Sequence, residues 1–223
     1  MAGDAVTVHP VSHATAWIKW GDEIIYTDPI GRASAFEGVP KPTLILLTDV
    51  HGDHLSTSTL DAVIGSAALI VPKAVGDMLP ANLSSRAKVL ANGEKIEQNG
   101  FSIEAIPMYN IPEKKDAFHT KGRGNGYVIE RDSFRVYVAG DTVDTPEMRA
   151  LKNIDIALIP MNLPYTMDVE EASRAVLAFA PKKAYPYHYR GPGGLSDVQK
   201  FKELVMSANS NIEVVLLNWY PTQ

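Results

Sequence analysis

The feature that most constrains this chain is a polar stretch directly after an apolar run. Residues 44–47 are all leucine or isoleucine and predict a buried strand. The next seven residues contain four side chains able to bind a metal: Asp49, His51, Asp53 and His54. Carboxylate oxygen and imidazole nitrogen are ligands of zinc, manganese and iron sites. The pattern predicts a strand that ends at a metal site, with Gly52 permitting the tight turn that brings the ligands together.

Composition narrows the classes of protein that this chain can be. Its 223 residues, of which 45% are hydrophobic and 21% charged, predict one globular domain over residues 1–223 with a sizeable core. The absence of cysteine excludes disulfides, thiolate metal sites and cysteine nucleophiles. A formal net charge of −5 does not favour a nucleic-acid or anionic-membrane partner. We therefore expect a small-molecule substrate.

Location and assembly stay open at this stage. No apolar run approaches the roughly 20 residues that cross a bilayer, so no membrane partner is expected. Residues 1–4 are too few and too polar to form a signal peptide. The compartment could be the cytoplasm, or the periplasm if the N-terminus is a processed mature end. A homo-oligomer is compatible with the sequence.

Strand and helix patterns are interleaved along the whole chain. The predicted strands cover residues 6–10, 15–20, 23–27, 44–47, 68–72, 88–90, 101–107, 126–130, 134–139, 154–159, 183–187 and 213–217. The predicted helices cover residues 58–65, 73–79, 169–179 and 196–206. Such interleaving indicates an α/β fold with two sheets covered by helices. Residues 108–124 form a long irregular segment, and loops of this length are often functional.

Three further candidate ligands follow the first four. Asp141 and His188 come after predicted strands, and His119 lies in the long irregular segment. Singly, His119 could be a surface histidine, Asp141 a turn cap and His188 a core histidine. Together the seven residues suit two metal ions that share a carboxylate, and such a pair can hold a hydroxide at neutral pH. This chemistry needs no serine or cysteine nucleophile, and the chain has no Gly-x-Ser-x-Gly motif.

The stretch from Asp49 to His54 resembles the His-x-His-x-Asp-His signature of the metallo-β-lactamase superfamily. The later His119, Asp141 and His188 match that family's remaining ligands in order, and residues 121–127 and 185–191 resemble the branch near the ascorbate-6-phosphate lactonase-like hydrolases. The resemblance implies a four-layer αβ/βα sandwich, with two mixed sheets flanked by helices and a dinuclear site along one edge. It also implies the ligand sets, which are His51 and His119 for metal 1, Asp53, His54 and His188 for metal 2, and Asp141 as the bridge.

The chain departs from that signature at Asp49, where the family usually has histidine. Asp49 could bind metal 1 directly or through water. A carboxylate favours harder ions, so manganese and iron are alternatives to zinc for the two expected divalent ions. We expect Asp53, Asp141 and His188 to be the catalytic residues.

The resemblance leaves the substrate open, because one fold hosts many hydrolytic reactions. We expect a hydrolase that opens a cyclic ester or amide, of lactone or β-lactam type, in a small anionic substrate. Arg123, Tyr165 and Arg190 are the predicted substrate-binding residues. An apolar wall is predicted from Met108, Tyr109, Met161, Leu163, Tyr165, Met167 and Tyr187. The alternatives are a phosphodiesterase or nuclease on the same metals, and a non-catalytic metal-binding protein with a degenerate first site.

Overall fold

The computed structural model describes residues 5–221, so the N-terminal stretch considered as a signal peptide lies outside the described residues. Most of the described strands belong to two sheets. The first sheet has six strands in the order β1-β2-β3-β4-β5-β6. Their bounds are Val6–Ser12, Thr15–Trp20, Glu23–Thr27, Leu44–Leu46, Ala68–Val71 and Ala87–Val89. The strands β1 to β3 are antiparallel, whereas β3 to β6 run parallel.

The second sheet has seven strands in the order β15-β12-β11-β10-β9-β8-β7. In chain order their bounds are Lys95–Gln98 (β7), Phe101–Met108 (β8), Gly124–Arg131 (β9), Phe134–Val138 (β10), Ile156–Pro160 (β11), Lys183–Tyr187 (β12) and Glu213–Val214 (β15). The strands β10, β11, β12 and β15 are parallel, and β7 to β10 are antiparallel. A separate hairpin consists of Arg190–Gly191 (β13) and Gly194–Leu195 (β14).

Helices cover the outer faces of these sheets. Their bounds are Thr57–Val63 (α1), Lys73–Gly76 (α2), Ala81–Ser84 (α3), Pro146–Arg149 (α4), Val169–Phe179 (α5) and Val198–Ala208 (α6), with a short 3-10 helix at Ala33–Phe36. Ser56 caps α1 and Asp168 caps α5, each accepting a hydrogen bond from a backbone N–H of the first turn. No helix among residues 5–221 is long and apolar enough to cross a bilayer.

The apolar residues of the first sheet divide between its two faces, as the two-residue period of a strand requires. Ile25 and Leu44 belong to the cluster that includes Ile103 of the second sheet. The neighbouring Ile24 and Ile45 belong to a second cluster. Helical residues of that second cluster include Leu60, Ile64, Val75 and Leu83. The alternation gives helix, sheet, sheet and helix layers, and it confirms the predicted α/β sandwich.

Strand β9 joins the two sheets near the ends of β3 and β4. The backbone N–H of Asn125 donates to the carbonyl of Thr48 at 2.9 Å. The hydroxyl of Tyr127 donates to the carbonyl of Leu47 at 2.8 Å. These bonds hold the carboxyl end of β4 against the second sheet. Ligands in open α/β sheets bind outside the carboxyl ends of parallel strands. We therefore expect a binding site at the edge of the sandwich where β4 meets the second sheet.

Candidate metal centre

Five strands position the candidate site from their carboxyl ends. In the first sheet, Asp28 follows β3, and the segment 48–54 follows β4. In the second sheet, Asp141, Asn162 and His188 come after the parallel strands β10, β11 and β12. The last three residues of each strand are buried, and the residues after it carry the polar side chains. The seven predicted ligands are therefore brought to one edge from several distant parts of the sequence.

The first group of ligands consists of Asp49, His51 and His119, whose ligand atoms lie within 4.8 Å of one another. Asp49 Oδ2 is 2.7 Å from His51 Nδ1 and 3.7 Å from His119 Nε2. Asp49 and His119 are buried, while His51 is partly exposed. Although burial opposes its ionisation, Asp49 has a pKa below its usual value because His51, His54 and Arg123 favour its charge.

The second group consists of His54, Asp141 and His188, with ligand atoms within the same 4.8 Å limit. The Nε2 atoms of His54 and His188 face each other at 3.1 Å. Asp53 lies beside this group, since its Oδ2 is 3.4 Å from His188 Nε2. Its carboxylate is 42% exposed and is the part of the group that opens to solvent. Asp53 also belongs to a third group, with His13 and His188, whose ligand atoms lie within the same 4.8 Å limit.

Asp141 connects the two groups. Its Oδ2 lies 3.3 Å from His119 Nε2 in the first group and 3.3 Å from His54 Nε2 in the second. Its Oδ1 lies 3.4 Å from His188 Nε2. Burial opposes the ionisation of Asp141, but the imidazoles of His188 and His54 bring its pKa well below the usual range. A carboxylate between two ligand groups is the arrangement that a bridging ligand requires.

The donor atoms fit divalent metal ions. Seven buried side-chain atoms of residues 5–221 have no hydrogen-bond partner, and three of them belong to this centre: His119 Nδ1, His119 Nε2 and Asp141 Oδ1. Buried polar atoms normally have a partner, so such a concentration needs an explanation. A bound cation would satisfy His119 Nε2 and Asp141 Oδ1, the two of these atoms that face the other candidate ligands. The residues present are therefore able to hold metal, which agrees with the prediction from the sequence.

Asp28 supports this centre and was not among the predicted site residues. Its Oδ2 lies 2.8 Å from His54 Nδ1, and its Oδ1 accepts the backbone N–H of Thr48 at 2.7 Å. A carboxylate on the far nitrogen of a histidine fixes the ring and leaves the other nitrogen free for metal. Burial opposes charge on His54, yet Asp141 and Asp28 raise its pKa well above the usual value. Asp28 could have been predicted, because it is a polar residue directly after a predicted strand. The same rule identified Asp141 and His188.

His13 is a second residue that sequence reasoning did not place in the site. Its Nε2 lies 3.2 Å from Asp53 Oδ2, and its ring centroid is 3.9 Å from that of His188. Its Nδ1 is 2.8 Å from the hydroxyl of Tyr220, which fixes the imidazole from the opposite side. The turn between β1 and β2 carries His13 to the site, and nothing in its sequence neighbourhood distinguishes it from a surface histidine.

Backbone conformation is unusual at three of these positions. His13, Asp28 and His188 have φ values of 54°, 43° and 47°, in the left-handed region that residues with side chains rarely adopt. Such conformations persist only where surrounding structure enforces them, and they concentrate at functional sites. All three residues contact a predicted ligand or are one themselves.

The expectation for Gly52 was wrong. Its φ lies outside the left-handed region, and a Cβ added there would meet no atom within 4 Å. The glycine that the site requires is Gly140, with a φ of 66°, where an added Cβ would lie only 2.5 Å from the sulfur of Met108. The backbone must therefore pass unusually close to Met108 immediately before Asp141.

The predicted substrate-binding residues lie at different places around the centre. Arg123 contacts both carboxylate oxygens of Asp49 at 3.2 Å. Arg190 lies over the ring of Tyr220 at 4.1 Å, and it makes no ion pair among residues 5–221. Tyr165 packs edge-on against Phe118, with ring centroids 4.8 Å apart. Contact of these three residues with substrate stays a prediction.

Most of the predicted apolar wall is core. The residues that are at most 3% exposed are Met108, Tyr109, Met161, Met167 and Tyr187. Leu163 is 52% exposed and Tyr165 is partly exposed, so these two remain available to a ligand. Ile111 and Phe118, on the loop before β9, are also about half exposed. Apolar surface near the site therefore comes from loop residues.

Comparison with known proteins agrees with this geometry. The profile of the beta-lactamase superfamily domain matches residues 7–188. A UPF0173 metal-dependent hydrolase of Thermococcus onnurineus is 32% identical over 221 residues, covering 95% of this chain and 96% of that protein. A crystal structure from Parabacteroides distasonis, whose name proposes a metal-dependent hydrolase, has 35% identity and a TM-score of 0.84. That match covers 96% of this chain and 94% of the other.

A more distant structure supports the fold alone. The metallo-beta-lactamase fold protein YhfI of Bacillus subtilis has 16% identity and a TM-score of 0.70, and the match covers 95% of each chain. The sandwich, the two ligand groups at its edge and the profile match over most of the sequence lead to one assignment. This chain belongs to the metallo-β-lactamase superfamily and is a metal-dependent hydrolase.

Proposed function

We propose that this hydrolase opens a cyclic ester or amide, of lactone or β-lactam type, in a small anionic substrate at a site for two divalent ions. The observation that carries the proposal is the position of Asp141. Its two oxygens lie 3.3 to 3.4 Å from imidazole nitrogens of His54, His119 and His188, which come from both ligand groups. One carboxylate can thus serve two ions.

The ligand sets follow from the two groups. Asp49, His51 and His119 would hold the first ion, and Asp53, His54 and His188 the second, with Asp141 shared. Zinc is the first candidate for both, with manganese or iron as alternatives. Bound there, divalent ions would lower the pKa of a coordinated water and polarise the carbonyl that it attacks.

The chain's own groups would orient the reaction. Asp53 is the most exposed carboxylate of the centre, with 42% of its side chain accessible, so it can contact water that enters from the solvent-facing side. His13 donates to Asp53 Oδ2 over 3.2 Å and limits the rotation of that carboxylate. Burial of His54 and His188 excludes bulk water from the opposite side, which strengthens electrostatic interactions within the centre.

Residues at the mouth support a substrate with both a charge and an apolar part. Arg190 is an exposed residue two positions after His188, with its guanidinium over the ring of Tyr220, and a guanidinium suits carboxylate or phosphate. Leu163 and Phe118 present exposed apolar side chains on neighbouring loops. These loops are joined, because Asn110 Nδ2 donates to the carbonyl of Tyr165 at 2.8 Å. A small lactone or β-lactam bearing an acid group matches both features.

The experiment is a hydrolysis panel on the protein loaded with zinc or manganese. The panel contains lactones with and without a carboxylate, a chromogenic β-lactam, and a nitrophenyl phosphodiester. We expect saturable ring opening that chelation abolishes and added metal restores. The Arg190→Gln variant should raise KM for the acidic lactone and leave KM for its neutral analogue unchanged. Cleavage of the phosphodiester alone, by protein with two ions bound, would contradict the proposal and favour the phosphodiesterase alternative.

A further inference from the structure

Arg123 forms a two-pronged contact with Asp49. Its Nε lies 3.2 Å from Asp49 Oδ1, and its Nη2 lies 3.2 Å from Asp49 Oδ2. The Asp49 side chain is fully buried, whereas that of Arg123 is 24% exposed. A planar guanidinium that bonds both oxygens of a carboxylate fixes its orientation as well as neutralising its charge. The carboxylate of Asp49 therefore has little freedom to turn.

The same guanidinium contacts a second loop. Its Nη2 also donates to the backbone carbonyl of Phe118, the residue before the candidate ligand His119. Asp49 follows β4 of the first sheet, while Phe118 and His119 belong to the loop before β9 of the second sheet. Arg123 thus joins the two loops that supply ligands of the first group. Asn110 already holds the backbone of His119 through two hydrogen bonds of 2.8 Å, so Asp49 is the ligand that depends most on Arg123.

The orientation of Asp49 determines which oxygen faces the other ligands. Oδ2 points to His51 Nδ1 at 2.7 Å and to His119 Nε2 at 3.7 Å. Arg123 holds this orientation through both oxygens, since its Nε donates to Oδ1 and its Nη2 to Oδ2, each at 3.2 Å. The same Nη2 lies 3.5 Å from His51 Nε2, so the guanidinium borders the ligand group directly. Hydrogen bonds to the outer atom of a ligand commonly govern how well its inner atom binds metal.

We propose that Arg123 is a positioning residue for the first metal position, acting by holding Asp49 Oδ2 toward His51 and His119. This inference rests on the proposed site for two ions. It gives Arg123 a task distinct from contact with substrate. It also explains how a short, charged aspartate can serve as a ligand here, since its charge and its orientation are both set by one partner.

The test measures the affinity of each metal position in Arg123 variants. Stepwise dissociation constants come from competition with a chromogenic chelator, and cobalt absorption reports the geometry of each position. We expect Arg123→Gln and Arg123→Lys both to weaken the first position by about 10- to 100-fold, the usual effect of losing such an outer contact. The second position should keep its affinity. The lysine variant retains the positive charge but loses the planar guanidinium. Weaker metal binding in this variant would therefore show that Arg123 acts by orienting Asp49 and not by its charge alone.

Two controls sharpen the result. Lys121→Gln removes another cation of the same loop, whose Nζ pairs with Glu147 Oε1 at 2.7 Å, and it should leave both affinities unchanged. The double variant Asp49→Asn with Arg123→Gln should bind the first ion no more weakly than Asp49→Asn alone, because Arg123 acts through Asp49.

The outcomes separate this inference from the proposed function. A wild-type protein that binds a single ion contradicts the two-ion site itself. If the wild-type protein binds two ions and Arg123→Gln binds the first equally well or more tightly, the two-ion site stands and the positioning role is wrong. The role would also be refuted if Arg123→Gln weakened metal binding equally at both positions. It would be refuted as well if Lys121→Gln weakened the first position as Arg123→Gln does.

Discussion

Asp28 Oδ2 and His54 Nδ1 lie 2.8 Å apart in the interior of the protein, and both side chains are at most 1% exposed. The pair fixes the ring that contributes Nε2 to the second ligand group. It also connects the end of β3 to the loop after β4, since Asp28 accepts from both the N–H and the hydroxyl of Thr48.

The first prediction concerns this pair. Asp28→Asn keeps the shape of the side chain but removes its charge, so we expect the second metal position to bind about 10- to 100-fold more weakly. Chelator competition measures the change. Asp77→Asn is the control, because this exposed carboxylate pairs with Lys73 at 2.7 Å, away from the candidate ligands. Equal affinities in wild type and Asp28→Asn would show that the pair does not support the metal.

The second prediction concerns Gly140, the glycine before Asp141. In Gly140→Ala the new Cβ would approach the sulfur of Met108 at 2.5 Å and the Cβ of Thr48 at 3.2 Å, with φ at 66°. We expect the free energy of unfolding to fall by about 1 to 3 kcal/mol, as measured by urea denaturation. Gly52→Ala, where an added Cβ meets nothing within 4 Å, should cause no loss. Gly140→Ala should therefore have a lower free energy of unfolding than Gly52→Ala. The opposite ranking would contradict the steric account.

The third prediction concerns catalysis. Asp53→Ala and His188→Ala each remove a proposed ligand of the second metal position, while the fold is held by apolar contacts elsewhere. Loss of about 3 kcal/mol of transition-state stabilisation corresponds to roughly a 100-fold lower rate, which we take as the minimum effect. His54→Ala tests the same position from its other side. Unchanged rates in variants that have lost the metal would exclude the proposed mechanism.

The fourth prediction concerns stability. An ion that binds only the folded chain stabilises it by about 2.7 kcal/mol at 100 times its Kd. For a protein of 223 residues this corresponds to a rise in Tm of about 5 to 10 °C. Differential scanning calorimetry with metal and with chelator measures the difference. The same Tm in both conditions would argue against binding to the folded state.

The sequence predicted the regular parts of this structure well, because strand and helix periodicity depend on local pattern. The helix Val169–Phe179 and the strand Lys183–Tyr187 lie where the pattern predicted them. Elements with weak local signals were missed. The strand β7 is a partly exposed edge strand with only one apolar residue, and helix α3 has just four residues. The predicted strand over 213–217 is reduced to Glu213–Val214, since pairing with β12 ends there.

The site shows a similar division. The seven candidate ligands share a rule, a polar residue at a strand end or in a long loop. The structure brings them together in three groups, one of which joins Asp53 to His188 and to His13. His13 and the pairing of Arg123 with Asp49 depend on contacts between residues 40 and 74 positions apart, which no local pattern encodes. Gly52 was assigned a role from its residue type, whereas the close approach occurs at Gly140.

The most direct test of the central claim is the metal content of the protein. Elemental analysis after purification without chelators, repeated after incubation with zinc or manganese and gel filtration, gives the number of ions per chain. The account predicts about two, because Asp141 lies between the two ligand groups. A single ion per folded chain under all of these conditions would contradict the two-ion site, and no ion at all would contradict the metal centre as a whole.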